Sequence, residues 1–217
     1  MSDDKTSGKR ARQAAETRRR VRDAAGALFI ERGYGATTLR DVADRAGVAV
    51  QTVYFIFGNK RTVLKEWVDV TIAGDDAPVA TMERGWFREA VEAPTAEEQL
   101  CRYVVGAGAT LGRVAPILGV LNAAGAADPE VAELWPADDP RYVVQVAAAE
   151  ALLAKPDARQ ELTVGYVADV LYGVLSPELY LVFVRERGWS PESWQQWALQ
   201  TLRHQLCRGQ DGPPDPE

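Results

Sequence analysis

The 217-residue chain is long enough to bury the core of one large or two small domains. Apolar residues make up 47% of it, which excludes an intrinsically disordered protein. Its net charge of −6 hides an asymmetry: residues 1–65 hold 14 basic and 7 acidic residues, a net of +7, whereas the remainder holds 11 and 24, a net of −13. A basic N-terminal third on an acidic body is the pattern expected when one end of a protein meets nucleic acid.

The chain offers few residues of the kinds that catalyse reactions or bind metals. Its single histidine, His204, has no cysteine or aspartate at metal-ligand spacing, and Cys101 and Cys207 form no C-x-x-C pair. No P-loop, G-x-G-x-x-G or G-x-S-x-G motif occurs. We therefore expect no enzyme activity, no metal and no cofactor. Neither a signal peptide nor an apolar run of about 18 residues occurs, so we expect a soluble, cytoplasmic protein.

In chain order, residues 1–14 are polar and carry no apolar period, and we predict a disordered basic tail there. An amphipathic helix is predicted from about Ala15 to Arg32, because apolar residues recur along it at helical spacing. Arg18 and Arg19 lie near its beginning, where cations oppose the helix dipole. Either they contact backbone phosphates of DNA, or they belong to an ordinary solvated face.

The stretch from Thr38 to Phe55 predicts two short helices joined by a tight turn. Thr38 and Asp41 have the spacing of a capping box at the start of the first of these helices. Gly47 follows that helix, where a residue that tolerates positive φ is favoured. The second helix is expected from about Val50 to Phe55. This arrangement is a helix-turn-helix, whose second helix enters the major groove of DNA.

The second helix of this motif has one face for packing and one face for DNA. Val53 and Phe57 share the packing face. Gln51 can form two hydrogen bonds to an adenine, and Val50 or Thr52 can pack against a thymine methyl group. The residues predicted to contact DNA, over the domain at 15–60 as a whole, are Arg18, Arg19, Thr38, Arg40, Val50, Gln51, Thr52, Tyr54, Phe55 and Lys60.

The segment from Arg20 to Lys65 resembles the DNA-binding domain of the TetR family of transcriptional regulators. The motifs that carry the resemblance are A-x-x-L-F at Ala25–Phe29, G-Y at Gly33–Tyr34, T-T-L-R-D-V-A-D-R-A-G-V at Thr37–Val48 and T-V-Y-F-I-F-G-N-K at Thr52–Lys60. They cover about a fifth to a quarter of the chain. The resemblance implies a DNA-binding repressor with a helical C-terminal domain that pairs two copies and binds a small-molecule effector.

Two residues depart from the family's pattern, and both changes remove polar groups that could contact the DNA backbone. Position 49, usually serine, is Ala49, and position 56, often histidine, is Ile56. We therefore expect the affinity for DNA to depend more on residues such as Tyr54 and Lys60. The ammonium group of Lys60 would bind a phosphate at the start of the next helix. The apolar ring of Phe55 favours half-sites rich in A·T pairs.

The rest of the chain predicts a helical body. No strand-like alternation persists, so the fold class is all-α, with an N-terminal three-helix DNA-binding domain and a helical domain at 61–208. Residues 209–217 hold three prolines and are predicted to be a disordered tail. The helices predicted after the helix-turn-helix are 60–73, 79–90, 96–113, 115–126, 129–134, 141–154, 163–187 and 191–208.

The resemblance implies that the last two helices pair with their copies in a second chain. Either the apolar stripes on these helices form a dimer interface or they serve only the core of one chain. The residues predicted for the dimer interface are Val167, Leu171, Val174, Leu179, Trp194, Trp197, Thr201 and Gln205. The resemblance also implies an effector pocket in the helical domain. Its predicted lining, each member of which could equally be plain core, is Trp86, Phe87, Arg102, Tyr103, Trp135, Tyr142, Tyr166 and Tyr172. Aromatic and apolar walls suit an apolar or aromatic effector.

Together these observations predict a dimeric, nucleoid-associated repressor that leaves a palindromic double-stranded DNA operator when it binds its effector. A second interpretation is a small-molecule binding protein with a weakened DNA-binding domain, which rests on the two missing polar residues. A gel-shift assay separates the two, because only the regulator gives a salt-sensitive shift with a palindromic DNA.

Overall fold

The computed structural model of the chain describes residues 3–77, 79–135 and 139–208. Its α-helices are α1 Asp3–Arg32, α2 Leu39–Ala46, α3 Val50–Phe57, α4 Lys60–Ala73, α5 Gly85–Val91, α6 Ala96–Val114, α7 Leu118–Ala127, α8 Pro140–Leu153, α9 Val164–Val174, α10 Pro177–Tyr180 and α11 Pro191–Leu206. Short 3-10 helices lie at Thr81–Glu83, Ala115–Ile117 and Pro129–Leu134, and a π-helix at Leu181–Glu186. Over these described ranges no strand forms, so the predicted all-α class with an N-terminal helix-turn-helix is confirmed.

Helix α1 begins earlier than predicted. It starts at Asp3 instead of Ala15, so the prediction of a disordered tail over residues 1–14 is wrong from Asp3 onward. The segment contains no proline, and its lysine, arginine, alanine and glutamine residues are good helix formers, so nothing in it ends the helix. The side chains from Lys9 to Glu16 are exposed. This part of α1 therefore adds a helix without adding to the core.

The chain folds into two compact units. The first combines Met1–Ile72 with Ile117–Trp135, and the second combines Ala73–Pro116 with Pro136–Glu217. These limits differ from the predicted domain boundary between residues 60 and 61, because most of α4 and all of α7 belong to the first unit. A boundary read from a motif cannot anticipate contacts between residues far apart in sequence. The predicted tail at 209–217 lies outside the described residues.

The core of the first unit holds the helix-turn-helix against its neighbours. Helices α2, α3 and α4 each contribute a fully buried side chain, Val42, Val53 and Leu64. Helix α1 approaches α4 so closely that a Cβ added at Gly26 would lie 2.0 Å from Nε1 of Trp67. The absence of a side chain at Gly26 is thus what lets the indole ring pack against the backbone of α1.

The second unit has its own apolar core, formed mainly by α6, α8, α9 and α11. Helices α8, α9 and α11 each contribute a buried leucine to it: Leu152, Leu171 and Leu202. Helix α6 contributes the buried Tyr103, whose hydroxyl donates a 2.9 Å hydrogen bond to Oε1 of the buried Gln145. A buried hydroxyl costs free energy unless it is paired, so this bond stabilises the packing of α6 against α8.

The continuous helix predicted over 163–187 is wrong in its middle. Helix α9 ends at Val174 and α10 begins at Pro177, because a proline ring cannot continue the backbone hydrogen bonds of a helix. Ser176 caps the new helix, and its hydroxyl accepts the N–H of Leu179 at 3.1 Å. The π-helix follows α10 directly. The other predicted helices recur within a few residues, except that 129–134 is a 3-10 helix and 79–90 divides into a 3-10 turn and α5.

Two helical stretches of the described chain are long and apolar enough to cross a membrane by length and composition alone, Ala96–Ala127 and Val164–Glu186. Each supplies fully packed core side chains, such as Tyr103 in the first and Val167 in the second. Core helices of soluble proteins pass the same test, so these stretches are weak support for a membrane span.

Candidate DNA-binding surface

The N-terminus of α2 is closed by the predicted capping box. The Thr38 hydroxyl accepts the N–H of Asp41 at 3.1 Å, and the Asp41 carboxylate accepts the N–H of Thr38 at 2.9 Å and its hydroxyl at 2.5 Å. The hydroxyl bond, with the backbone bond, holds the pKa of the Asp41 carboxyl below its ordinary value. Thr38 is therefore a helix cap in this structure, and its contact with DNA stays a prediction.

The turn between α2 and α3 depends on a glycine and an arginine. Gly47 has φ 66° and ψ 42°, the left-handed conformation that glycine adopts without strain. Arg20 of α1 reaches this turn, and its Nη2 donates to the carbonyl oxygens of Ala46 and, at 3.5 Å, Gly47. Sequence reasoning missed Arg20 as a support of the motif, because the two contacts join residues 26 and 27 positions apart. Ala49 has no side-chain cap bond at the start of α3.

Helix α3 divides into the predicted faces. Val53 and Phe57 are buried, with exposed fractions of 0% and 4%. Gln51, Tyr54 and Phe55 lie on the opposite side, and the side chain of Phe55 is 92% exposed. Tyr54, which is 55% exposed, and Phe55 thus place two aromatic rings next to each other on the outer face of α3.

Further predicted contact residues surround this outer face. Val50 and Thr52 on α3 are half-buried, and Arg40 on α2 is exposed. Ile56 is half-buried against the core. The surface therefore offers one amide, two exposed aromatic rings and a nearby guanidinium group to a ligand.

The predicted phosphate ligand Lys60 is engaged within the protein. Its Nζ donates to the carbonyl oxygens of Tyr34 and Thr37 at 2.8 and 2.9 Å, and burial lowers the pKa of this ammonium group. The ammonium group thus joins the first turn of α4 to the loop between α1 and α2. Its contact with DNA stays a prediction, since these bonds compete with it.

The two arginines predicted on α1 are also paired. Nε of Arg18 donates to the Glu66 carboxylate at 2.9 and 2.8 Å, which raises the pKa of Arg18, and the guanidinium lies 4.9 Å from the centroid of the Phe57 ring. Arg19 forms an ion pair with Glu16 at 2.7 Å. Side chains of exposed ion pairs exchange partners at little cost. Both side chains are about half exposed, and their contact with DNA stays a prediction.

A polar cluster that the sequence did not predict lies within the first unit. Nε of Arg61 donates to the Asp128 carboxylate at 2.7 Å, and its Nη1 donates to Glu130. The Arg61 bond lowers the pKa of Asp128. Burial, together with Asp128, raises the pKa of Tyr34 to about 12. Pairs separated by more than 60 positions leave no mark in a sequence pattern, so no signal could have found this cluster.

The residues predicted to line an effector pocket are divided between the two units, and their role stays a prediction. Trp135 belongs to the first unit, where its Nε1 donates to Oδ1 of Asp69 at 3.1 Å. In the second unit Trp86, Phe87 and Tyr103 form one aromatic cluster, with ring centroids 5.8 to 6.0 Å apart.

The remaining predicted effector residues lie elsewhere on the second unit. Tyr142 and Tyr172 form a separate pair, with ring centroids 5.7 Å apart. Arg102 is exposed and paired with Glu98, and Tyr166 is 46% exposed. Trp86 and Tyr142 pack against the same apolar core that contains Phe87 and Tyr103, and whether these residues line one pocket stays a prediction.

Three of the residues predicted for a dimer interface are core residues of the single chain. Val167, Leu171 and Trp194 have exposed fractions of 0%, 1% and 0%, so assigning them to an interface was wrong. An apolar stripe on a helix first serves the nearest core, and the sequence does not show which core that is. The other predicted interface residues are half-buried or exposed: Val174, Leu179, Trp197, Thr201 and Gln205.

The helix-turn-helix matches a known family of bacterial proteins. The family model described as "Bacterial regulatory proteins, tetR family" matches residues 21–67. The chain is 43% identical to the HTH-type transcriptional repressor KstR2 of Rhodococcus jostii (strain RHA1) over 63 residues, which are 29% of this chain and 28% of that protein. The chain thus spans little more than a quarter of the length of the curated relatives it matches.

Solved structures resemble the chain over almost its whole length. A TetR-family transcriptional regulator from Mesorhizobium loti superposes with a TM-score of 0.69 at 18% identity, covering 90% of this chain and 98% of that one. A transcriptional regulator from Saccharomonospora viridis, solved in complex with choline, gives 0.64 at 20% identity and covers 89% and 99%. At such identities the likeness shows a common fold, and it does not extend to the ligand.

Proposed function

Residues 21–67 of this chain are a TetR-family N-terminal domain, and from this premise we propose that the chain is a DNA-binding transcriptional regulator. We propose further that it acts as a homodimeric repressor in the cytoplasm, at the nucleoid, and that a small-molecule effector releases it from a palindromic operator.

The outer face of α3 is the observation that carries this proposal. Gln51, Tyr54 and Phe55 are exposed together on a helix whose opposite side is fully packed. This helix lies in the N-terminal part of the chain, which carries a net of +7 over residues 1–65. An amide, aromatic rings and a positive surrounding suit the edges of base pairs between two rows of phosphates.

In the proposed complex α3 lies in the major groove. Gln51, near its N-terminus, forms two hydrogen bonds with an adenine, and Phe55, one turn further along the same face, packs against a thymine methyl group. Tyr54, Arg40 and the arginines of α1 hold the phosphate backbone on either side. The phosphate contacts supply affinity and register, and the base contacts supply specificity.

A dimer is part of the proposal because one half-site gives few base contacts. In a dimer, two DNA-binding domains related by twofold symmetry would contact two half-sites. The centres of these half-sites lie about 34–36 Å apart, which is the length of one turn of DNA. The surface available for pairing along the last helices is the half-buried or exposed set Val174, Leu179, Trp197, Thr201 and Gln205. Trp197 packs 4.5 Å from the Phe183 ring, measured between centroids, so an aromatic surface lies on this side of the second unit.

The effector is proposed to bind the second unit. The aromatic cluster of Trp86, Phe87 and Tyr103 suits an apolar or aromatic ligand. Binding there would favour a dimer in which the separation of the two recognition helices no longer matches one turn of DNA. Such a population shift requires only that the ligand bind that state more tightly.

A gel-shift assay at several salt concentrations tests the proposal. The duplexes are the DNA that flanks the chain's own gene and sequences selected by the protein from a random pool. We expect a shifted complex with a palindromic site whose affinity falls steeply with salt, as phosphate neutralisation requires. If no selected sequence forms a salt-sensitive complex with the protein, the proposal that the chain is a DNA-binding regulator is wrong.

One observation favours a second candidate function, a small-molecule binding protein with a weak DNA-binding domain. Ala49 gives α3 no side-chain cap, and the ammonium group of Lys60 is bonded within the protein. Restoring the cap with Ala49→Ser distinguishes the two candidates. If the variant binds a duplex that the unaltered protein does not retain, the natural chain is the weak binder; if both bind tightly, the regulator stands.

A further inference from the structure

The N-terminal part of α1 is a helix without a core to support it. Side chains from Lys9 to Glu16 are exposed, and the first fully buried residue of the helix is Val21. The packed part of α1 nucleates this segment, but a helical end that packs against nothing is only marginally stable in water, because each added hydrogen bond barely offsets the cost of ordering a residue. This segment therefore gains most from a partner that binds it as a helix.

The charge of this segment is of one sign. Residues 8–15 contain Lys9, Arg10 and Arg12 and no acidic residue. The first acidic side chain after them, Glu16, is paired with Arg19. Three exposed cations on about two turns of helix match a row of phosphates in charge, and the nearest acidic residues in the sequence, Asp4 and Glu16, lie on either side of residues 8–15.

The segment leaves the first unit beside the recognition helix. Arg20 donates to the carbonyl oxygens of Ala46 and Gly47 in the turn that precedes α3. Arg18, half a turn earlier, lies against Phe57 at the end of α3 and pairs with Glu66. The point from which the exposed helix projects is thus held within a few residues of both ends of α3.

We propose that residues 8–16 of α1 form a basic rod that lies along the DNA backbone next to the half-site read by α3, with Lys9, Arg10 and Arg12 contacting phosphates. This inference rests on the proposed function and extends it beyond the helix-turn-helix. At about 1.5 Å per residue the rod is about 13 Å long, which corresponds to about four base pairs of duplex. It lengthens the footprint without adding base readout.

The test compares three proteins on one selected operator by salt-dependent binding and hydroxyl-radical footprinting. The variant K9Q/R10Q/R12Q removes the charges and keeps good helix formers. The slope of log binding constant against log salt concentration should be shallower by up to about 2.7 for each bound DNA-binding domain, since each neutralised phosphate contributes about 0.9. Protection of about four sugars beside the half-site should disappear, while the preferred sequence stays the same. Ala11→Pro keeps every charge and breaks the helix.

The outcomes separate a rod, a flexible arm and no contact. Loss of the flanking protection in both variants supports the rod. Loss in K9Q/R10Q/R12Q but not in Ala11→Pro overturns it in favour of an unstructured basic arm. Unchanged slope and footprint in both variants, with the unaltered protein bound, overturn the inference and leave the proposed function intact. If the unaltered protein binds no DNA, the proposed function itself fails.

Discussion

The ammonium nitrogen of Lys60 lies 4.1 Å from the centroid of the Tyr34 ring and donates a 2.8 Å hydrogen bond to the Tyr34 carbonyl oxygen. A second bond, of 2.9 Å, goes to the Thr37 carbonyl oxygen. One cation thus satisfies two backbone acceptors of the loop before α2 and covers an aromatic face. The residue that resembles a phosphate ligand in the sequence is, in the folded chain, a connection between α4 and that loop.

Lys60→Met should therefore destabilise the first unit. The two carbonyl oxygens lose a charged donor, and we expect the free energy of unfolding to fall by about 1–3 kcal/mol. Urea unfolding followed by circular dichroism measures it. Lys65→Met is the matched control, because Lys65 forms a partly exposed ion pair with Asp69 and a distant contact, of 5.9 Å, with the Trp135 ring centroid, and their loss should cost about 1 kcal/mol or less. A stable Lys60→Met protein with weaker DNA binding would instead assign Lys60 to a phosphate.

The buried hydroxyl of Tyr34 should make stability depend on pH in the alkaline range. Its pKa is raised from 10.0 to about 12 by burial and by Asp128, so between these values the folded chain keeps a proton that the unfolded chain loses. The stabilisation is complete below about pH 10 and is lost as the pH rises through the folded value.

Tyr34→Phe removes this dependence and keeps the ring that packs against Phe29 and Lys60. The measurement is urea unfolding of both proteins at pH 9, 10 and 11. The free energy of unfolding of the unaltered protein should fall relative to that of the variant as the pH rises. Parallel pH profiles would show that the Tyr34 hydroxyl titrates at its ordinary pKa.

The close approach of α1 and α4 makes Gly26 intolerant of a methyl group. A Cβ there would lie 2.0 Å from Nε1 and 2.4 Å from Cε2 of Trp67, so the indole must move. We expect Gly26→Ala to lower the free energy of unfolding by about 1–3 kcal/mol, although alanine is the better helix former. Gly119→Ala on α7 meets no atom within 4 Å and should gain up to about 1 kcal/mol. Thermal unfolding of both variants decides this, and equal behaviour would contradict the packing described.

The exposed ring of Phe55 predicts sensitivity to a single methyl group on the DNA. Gln51 and Phe55 are four residues apart on α3, about 6 Å along the helix, so the thymine should lie about two base pairs from the adenine read by Gln51. Replacing that thymine with deoxyuridine removes the methyl group and leaves every hydrogen-bonding group in place. Binding should weaken about 3- to 10-fold, the equivalent of losing roughly one buried methyl group.

The same substitution in the DNA should have little effect on Phe55→Ala, because the contact is already lost. Gln51→Ala is the matched control: it should bind more weakly overall but retain the response to deoxyuridine. A Phe55→Ala protein that still discriminates thymine from deoxyuridine would show that another residue reads the methyl group. Competition gel-shifts with the two duplexes give the ratio directly.

The sequence by itself determined the helix-turn-helix and the face it presents. The capping box of Thr38 and Asp41 and the left-handed Gly47 are interactions within a few residues, so spacing alone predicts them, and the structure confirms both. The same holds for Phe57 inside and Phe55 outside, because a helix with 3.6 residues per turn assigns its faces by position. The sequence also predicts that α3 has no side-chain cap, because Ala49 carries no oxygen that could accept a hydrogen bond.

Only the tertiary structure decided which partner each of these surfaces has. Lys60 bonds to the loop before α2, and Trp194 is buried in the core of a single chain, although spacing alone allows a phosphate or a second copy as well. Arg61 and Asp128 meet across 67 positions, a distance over which no local pattern carries information. The periodicity of apolar residues predicts that a side chain is buried, but which residues bury it depends on how the helices pack in three dimensions.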